Sequence, residues 1–371
     1  MHNTTIAYTA NSIYTGMHLL QHHAMVCSNG IITDVLPKVT LPTDGSLNIV
    51  DFGDATITPP FADLQLYGAE GKLLAVTPTA ATVEAIANYS VRGGAYWCMP
   101  AVATNTYEVI YACIDAIKAY WQQGGKHVLG LHVEGPWISI EKRGAHVAEL
   151  IHAPTITQVT ELLQYGKGVI KMITLAPEYC NESIIQYIKQ QGIIVSAGHS
   201  NASYELATQS FDSGVQAATH LYNAMSAFEH RKPGMVGAIL NHSNVKASII
   251  PDGYHVSWPA IQLALRQMND RLFAITDAVT TTSEGYYQHI LDGDKYVANG
   301  TLSGSALTMQ KALYNLIQFA GVPFVQAIDM CSIIPLRLMH KIDEVGLLKK
   351  NYPAQAIVLD TTYNIIGNIG L

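Results

Sequence analysis

The middle of the chain alternates short apolar runs with longer segments of helical periodicity, and this alternation limits the folds it can adopt. Apolar runs predicted to be strands occupy residues 56–61, 94–99, 127–133, 169–175, 193–197, 215–219, 246–250 and 272–276. Helices are predicted between several of them, at residues 82–91, 107–122, 182–191, 204–211 and 258–268. Near-continuous apolar strands separated by helices are typical of a parallel sheet covered on both faces. The pattern predicts an α/β fold, a (β/α)8 TIM-like barrel, with a doubly wound open sheet as the alternative.

Both ends of the chain have a different pattern. Residues 1–54 alternate apolar and polar side chains in short runs that Gly, Pro and Asp interrupt, and residues 346–371 do the same. The alternation predicts a small β domain to which both termini contribute. The barrel would then span residues 55–345, with the small domain beside it.

Composition indicates the class of protein. Of 371 residues, 49% are apolar and only 13% are charged, which indicates a large buried core and excludes a disordered protein. No apolar run reaches the roughly 18 residues that a membrane helix needs, so we expect no membrane association. Residues 1–16 lack a basic segment followed by an apolar one, so we expect no secretory signal and a cytoplasmic protein.

Charge and cysteine content exclude further classes. The net charge is −7 and no basic cluster is longer than residues 230–232. Because nucleic-acid binding needs a basic face that neutralises phosphates, we expect no nucleic-acid partner. The five cysteines are scattered, so we interpret them as buried small hydrophobic residues and not as a disulfide framework or a zinc knuckle.

Polar side chains that can bind a metal stand at or just after the carboxyl ends of several predicted strands. They are Asp63, Gln65, Glu134, His199, His220, His255 and Asp277. In a barrel these strand ends converge on one mouth, which is where the chemistry takes place. Carboxylates and imidazoles are typical ligands of catalytic metals, so this set predicts a metal site. Taken singly, each histidine could be a hydrogen-bonded structural residue, and Asp277 could cap the next helix.

Several ordered motifs resemble those of a known family. They are TPPFADLQLYG at 58–68, GLHVEGPW at 130–137, GAH at 144–146, SAGHS at 196–200, THLYNAM at 219–225, RKPG at 231–234, DGYH at 252–255, TDA at 276–278 and GTLSGSAL at 300–307. In this order, from about residue 58 to residue 310, they resemble the N-acetylglucosamine-6-phosphate deacetylases of the amidohydrolase superfamily. The resemblance implies a barrel with a small β-sandwich, a divalent metal, and hydrolysis of N-acetylglucosamine 6-phosphate to glucosamine 6-phosphate and acetate.

The resemblance also implies roles for individual residues. The metal ligands would be Glu134, His199 and His220. Asp277 would be the general acid and base, and His255 would contact the substrate near the scissile carbonyl. The residues that contact the sugar phosphate would be His146, Asn223, Ala224 through its backbone, Arg231, Leu302 and Ser303. The resemblance further implies a homodimer in which Arg231 lies near the partner's site, although an exposed arginine on a loop is also a common solvated charge.

The first strand departs from the superfamily pattern. Where a His-x-His pair would bind a second metal, the chain has Gln65, Leu66 and Tyr67. An amide and a phenol are weak ligands for zinc, so we expect one divalent metal per chain, zinc first and iron, manganese or cobalt as alternatives. Gln65 would contact a metal-bound water or form part of the pocket wall, and Tyr67 would narrow the pocket.

Two other functions fit the sequence less well. One is hydrolysis of N-acetylgalactosamine 6-phosphate or of another N-acyl sugar by the same fold. The other is a non-catalytic barrel that binds a ligand. Loss of Asp277 or of a metal ligand would favour the second alternative, and all of these residues are present.

Overall fold

The computed structural model describes residues 5–370. Residues 1–4 and 371, at the outer ends of the predicted β domain, lie outside the described residues. The described elements form an eight-stranded parallel sheet with surrounding helices and four smaller sheets.

The eight strands form a barrel in chain order. They are Phe61–Leu66, Ala95–Ala103, Leu131–Glu134, Ile170–Leu175, Ile194–Ala197, Ala217–Ala218, Lys246–Ile249 and Leu272–Ala274. The first strand also bonds to the segment after the last one. The backbone N–H of Tyr67 donates to the carbonyl of Ala278 at 2.7 Å, and that of Asp277 donates to the carbonyl of Gln65 at 2.9 Å. This contact closes the sheet, which confirms the predicted barrel and excludes the open doubly wound sheet.

Helices follow the barrel strands and cover them. The α-helices are Ala80–Arg92, Tyr107–Gln122, Ile156–Tyr165, Glu182–Gln190, Tyr204–Asp212, Gly234–Asn241, Trp258–Met268, Met309–Gln318, Phe324–Cys331 and Ile333–Leu338. Short 3-10 turns lie at Lys38–Thr40, Ile140–Lys142, Ala148–Leu150, Pro177–Tyr179 and Asn269–Arg271. All five helices predicted from periodicity are present, each within two residues of its expected ends.

Polar residues fix where these helices begin. The side chains of six N-cap residues accept a backbone N–H of the first turn: Thr79, Thr106, Thr155, Asn181, Ser203 and Thr308. Each such bond satisfies a backbone donor that would otherwise lack a partner, which stabilises the helix by about 1 kcal/mol. At Thr155 the side chain of Gln158 in turn accepts the backbone N–H of Thr155, which completes a capping box.

The small domain consists of two sheets. One contains Ile31–Pro37, His23–Ser28, Thr5–Thr9 and Asn48–Asp51, in that order. The other contains Ile365–Ile369, Ala356–Leu359, Thr56–Thr58, Ser12–Tyr14 and Leu19–Gln21, in that order. The second sheet pairs strands from both ends of the chain, as the sequence predicted. A separate apolar cluster that includes Ile13, Met25, Ile57 and Val358 lies in this domain.

The predicted strand over residues 56–61 is wrong, because the structure divides this segment between the two domains. Thr56–Thr58 pairs in the small domain, with Ser12–Tyr14 and Ala356–Leu359. The first barrel strand begins only at Phe61, after Pro59 and Pro60. Proline lacks the N–H that a sheet ladder requires, so the proline pair ends one strand before the other begins.

A three-stranded sheet follows the last barrel strand at the mouth of the barrel. It consists of Ile290–Asp292, Lys295–Ala298 and Thr301–Ser305. A small antiparallel pair, Gly68–Ala69 with Lys72–Leu73, follows the first barrel strand. The main hydrophobic core fills the barrel and the space between its strands and helices.

The five cysteines are all buried and unpaired, as the sequence predicted. Between residues 5 and 370, no helix is both long and apolar enough to cross a membrane.

Candidate active site

A cavity of about 190 Å³ opens at the carboxyl ends of the barrel strands. Its lining includes most of the residues that the sequence singled out: Glu134, His146, His199, His220, Asn223, Ala224, His255, Asp277, Leu302 and Ser303. Tyr67, Tyr287 and His289 line it as well. The structure therefore brings together side chains that come from most of the strands.

Abrupt turns after short strands aim three of these side chains into the cavity. His199, His220 and Asp277 have φ values of 47°, 39° and 54°, in the left-handed region that residues other than glycine rarely adopt. Each follows the end of its strand by two or three residues. Such strained backbone persists where the surrounding structure holds it and is frequent at functional sites.

Glu134 lies at the centre of the cluster, on the last residue of its strand. Its Oε1 lies 3.2 Å from His199 Nε2 and 3.1 Å from His220 Nε2, and the two imidazole nitrogens are 3.0 Å apart. These three atoms therefore converge on one point. A tetrahedral metal with bonds of about 2.0–2.1 Å places its ligand atoms roughly 3.3 Å apart, close to this spacing.

The hydrogen bonds of two histidines indicate which ring nitrogens carry protons. His199 Nδ1 lies 3.0 Å from the backbone carbonyl of Lys142, which can only accept, so Nδ1 donates and neutral His199 presents a lone pair at Nε2. His146 Nδ1 accepts the backbone N–H of Thr104 at 3.3 Å, so its proton is on Nε2, which lies 3.5 Å from Glu134 Oε2. Glu134, His146 and His199 also form a cluster with metal-binding spacing. The protonated Nε2 makes His146 the poorer ligand in that group.

Gln65, on the first strand, and Tyr67, directly after it, contact Glu134. The two protons of Gln65 Nε2 point to its shorter contacts, Asp277 Oδ1 at 2.7 Å and the Tyr67 hydroxyl oxygen at 2.8 Å, and Glu134 Oε1 lies 3.3 Å from the same nitrogen. The Tyr67 hydroxyl donates to Glu134 Oε2. Gln65 is buried beneath the cavity and is not part of its lining. It therefore links the two acidic residues of the site to the first strand.

Burial shifts the pKa values in this cluster. Burial by itself raises the pKa of Glu134, but the hydrogen bond from His146 and the adjoining imidazoles of His199 and His220 outweigh it and hold that pKa well below its usual range. Burial raises the pKa of Asp277 above its ordinary value, Glu134 raises it further, and His220 opposes the increase. Burial lowers the pKa of His146 to about 4, which keeps its ring neutral near pH 7.

His255 is held by an acidic residue three positions earlier. His255 Nδ1 lies 2.6 Å from Asp252 Oδ2, and the backbone N–H of His255 donates to Asp252 Oδ1 at 2.8 Å. The carboxylate fixes the ring and keeps a proton on Nδ1. Asp252 was not among the candidate residues, although its position in the DGYH motif is a local signal for this contact.

Besides Gln65, two sequence candidates lie outside the cavity. Arg231 is exposed on the turn before Gly234–Asn241 and does not line the cavity. Asp63 is buried below the mouth, where its Oδ2 accepts a hydrogen bond from the Thr276 hydroxyl at 2.5 Å. Burial raises the pKa of Asp63 to about 7. Asp63 thus joins the first strand to the segment after the last strand. Among residues 5–370, no lysine or arginine lines this cavity.

Other contacts at the site have no clear signal in the sequence. The hydroxyl of Tyr287 donates a hydrogen bond to the backbone carbonyl of Thr104 at 2.6 Å, and His289 Nε2 lies 3.1 Å from the hydroxyl of Ser303. Both side chains come from the segment between the last barrel strand and the three-stranded sheet. Burial lowers the pKa of His289 to about 4, so it contributes a neutral imidazole to the wall.

Two protein-family models together match nearly the whole chain. The model of the amidohydrolase family matches residues 56–369, and that of the NagA composite domain matches residues 6–47. The chain belongs to the amidohydrolase family. It is therefore a metal-dependent hydrolase, and its Glu and His cluster has the spacing that could bind the metal.

Similar amidohydrolases act on amino-sugar phosphates. The chain is 32% identical to the N-acetylglucosamine-6-phosphate deacetylase of Haemophilus influenzae, with 96% of each chain covered. It is 28% identical to an N-acetylgalactosamine-6-phosphate deacetylase of Escherichia coli, with 96% of this chain and 95% of that one covered. The crystal structure of N-acetylglucosamine-6-phosphate deacetylase from Pasteurella multocida matches with a TM-score of 0.92 at 30% identity, and covers 99% of this chain and 98% of that one. These findings confirm the resemblance predicted from the motifs.

Proposed function

We propose that the chain removes the acetyl group of N-acetylglucosamine 6-phosphate and releases glucosamine 6-phosphate and acetate. The observation that carries this proposal is the convergence of Glu134, His199 and His220 on one point beside Asp277. This arrangement supplies metal ligands and a proton carrier in one cavity, and amide hydrolysis needs both.

The metal ligands in this proposal are Glu134 Oε1, His199 Nε2 and His220 Nε2. Three protein ligands of these types leave a position open for water, as in catalytic zinc sites, so we propose zinc as the metal. A divalent metal in such a site lowers the pKa of bound water to about 7 and polarises a carbonyl oxygen. Glu134 stays ionised because its pKa is held low, and the Lys142 carbonyl orients His199 for its role.

Asp277 and His255 act on the substrate. Asp277 accepts a proton from the attacking water and delivers it to the leaving nitrogen, so that cleavage of the C–N bond yields the free amine and acetate. Its raised pKa makes it a stronger base, and the hydrogen bond from Gln65 orients it. His255, oriented by Asp252, stabilises the charge that develops on the carbonyl oxygen, an effect worth about 3 kcal/mol per donor.

The phosphate contacts in this proposal come from two chains. Asn223 and the backbone of Ala224 line the cavity, with His146, Leu302 and Ser303 on the sugar side. Because no lysine or arginine of residues 5–370 lines the cavity, we propose that Arg231 binds the phosphate in the partner's site of a homodimer. A guanidinium offers two parallel donors to a phosphate, which suits this role.

We expect Arg231→Ala to lower kcat/KM for N-acetylglucosamine 6-phosphate by roughly 10- to 100-fold, because hydrogen bonds to charged groups contribute about 1.5–3 kcal/mol. The value for unphosphorylated N-acetylglucosamine should hardly change. The matched control is Lys232→Ala, which removes a neighbouring exposed cation. Equal losses on both sugars would contradict the phosphate contact, and so would equal losses in the two variants.

A direct assay tests the function itself. Purified protein reconstituted with zinc should release acetate from N-acetylglucosamine 6-phosphate, measured as acetate and as free amine in equal amounts. N-acetylgalactosamine 6-phosphate is the second substrate, because one similar enzyme acts on that epimer. A higher kcat/KM for the galacto epimer would show that N-acetylgalactosamine 6-phosphate is the preferred substrate. Absence of acetate release from either would overturn it.

A further inference from the structure

The two oxygens of Glu134 have different partners. Oε1 faces His199 Nε2 at 3.2 Å and His220 Nε2 at 3.1 Å, at the point where the metal ligands converge, and Gln65 Nε2 lies 3.3 Å from it. Oε2 accepts a hydrogen bond from the Tyr67 hydroxyl and lies 3.5 Å from His146 Nε2. Glu134 is 2% exposed, so solvent does not compete for either oxygen.

The direction of the Tyr67 hydrogen bond follows from its second contact. Gln65 Nε2 lies within hydrogen-bond distance of a carboxylate oxygen of Glu134 and another of Asp277, and ionised carboxylates can only accept. This atom is therefore the amide nitrogen, and it donates to the Tyr67 hydroxyl oxygen at 2.8 Å. The single proton of that hydroxyl is then left to point at Glu134 Oε2.

The backbone holds Tyr67 in this position. Its N–H donates to the carbonyl of Ala278 at 2.7 Å, in the contact that closes the barrel, and its carbonyl accepts the N–H of Leu74 at 2.9 Å. The hydroxyl is thus attached to the rigid junction of the first strand with the segment after the last one. A side chain held by the sheet can orient a neighbour more precisely than one on a free loop.

We propose that Tyr67 is a positioning residue. Its hydrogen bond to Glu134 Oε2 keeps that oxygen off the metal, so that Glu134 contacts a single metal through Oε1 alone. A carboxylate can bind a metal with one oxygen, chelate it with both, or bridge two metals. Chelation and bridging both need the second oxygen, and the hydrogen bond from Tyr67 occupies it. The proposal rests on the metal site proposed above and adds the residue that determines its binding mode.

The test measures metal binding without any sugar. The metal-free native protein, Tyr67→Phe and Tyr89→Phe are each loaded with one equivalent of Co(II), and visible absorption spectra are recorded. Tyr67→Phe removes the hydroxyl and keeps the ring. Tyr89→Phe is the matched control, because its hydroxyl donates to the carbonyl of Leu307 at 2.7 Å and lies outside the cavity. Thermal unfolding of the metal-free proteins establishes that each variant is folded.

In Tyr67→Phe we expect weaker Co(II) absorption, because Oε2, left with only the 3.5 Å contact to His146 Nε2, joins the metal and raises its coordination number. We also expect its zinc affinity, measured against a chromophoric chelator, to fall by roughly 10- to 100-fold, as is typical when a residue that orients a ligand is lost. Tyr89→Phe should match the native protein in both measurements. A Tyr67→Phe spectrum that superimposes on the native one overturns the proposal.

The native protein provides a second, independent measurement. A crystal structure with zinc bound should have Oε1 in the metal's coordination shell and Oε2 bonded to Tyr67. Chelation through both oxygens, or a second metal bridged by Glu134, overturns the proposal even if Tyr67→Phe does not fold. A native protein that binds zinc in the expected mode but releases no acetate would contradict the proposed function and leave the role of Tyr67 standing.

Discussion

Replacement of Asp277 by asparagine should lower kcat by about 10²–10⁴-fold while folding and metal content stay native. Asparagine has the same size, and its Oδ1 can still accept the hydrogen bond that Gln65 Nε2 donates at 2.7 Å. It cannot take a proton from water or give one to the leaving nitrogen. The measurement is steady-state hydrolysis of N-acetylglucosamine 6-phosphate, with metal determined on the same preparation.

The control for this variant is Asp292→Asn. Asp292 is exposed on the three-stranded sheet, where it lies 3.5 Å from Lys295 and does not line the cavity. The same chemical change there should leave kcat as in the native enzyme. If Asp277→Asn with full metal content kept kcat within about tenfold of the native value, Asp277 would not be the proton carrier.

Removal of the metal should abolish hydrolysis, and about one equivalent of zinc per chain should restore it. One metal site is defined by three atoms: His199 Nε2, His220 Nε2 and Glu134 Oε1. Gln65 and Tyr67, which stand where a second pair of imidazoles would be needed, are bonded to the acidic residues of that site. The measurement is dialysis against a chelator followed by titration with zinc, with activity and bound metal plotted against equivalents added.

Two variants show whether the titration reports on this site. Glu134→Gln preserves the size of the side chain and removes its charge, so one equivalent should fail to restore activity. Glu149→Gln makes the same change at an exposed position and should titrate like the native enzyme. Full activity after complete removal of metal, or a requirement for two tightly bound equivalents, would contradict the single catalytic metal.

The barrel was predictable because periodicity and chain order carry most of its information. Near-continuous apolar strands that alternate with helices leave few arrangements in which both faces of the sheet are covered. The predicted helices 107–122 and 258–268 match the structure at both ends. The segment 56–61 failed because periodicity does not distinguish one strand from two consecutive strands, and the proline pair was the available signal.

The sequence by itself also determined which side chains meet at the mouth. Glu134 ends one parallel strand, and His199, His220 and Asp277 follow others. Closure of a barrel brings such strand ends together whatever the loops do. Only the tertiary structure decided how they meet. The bond between Tyr67 and Glu134 joins residues 67 positions apart, and the bond between Gln65 and Asp277 joins residues 212 positions apart. Such contacts depend on the register at which the sheet closes and on side-chain rotamers within a buried cluster, and no local pattern in the sequence encodes either of these.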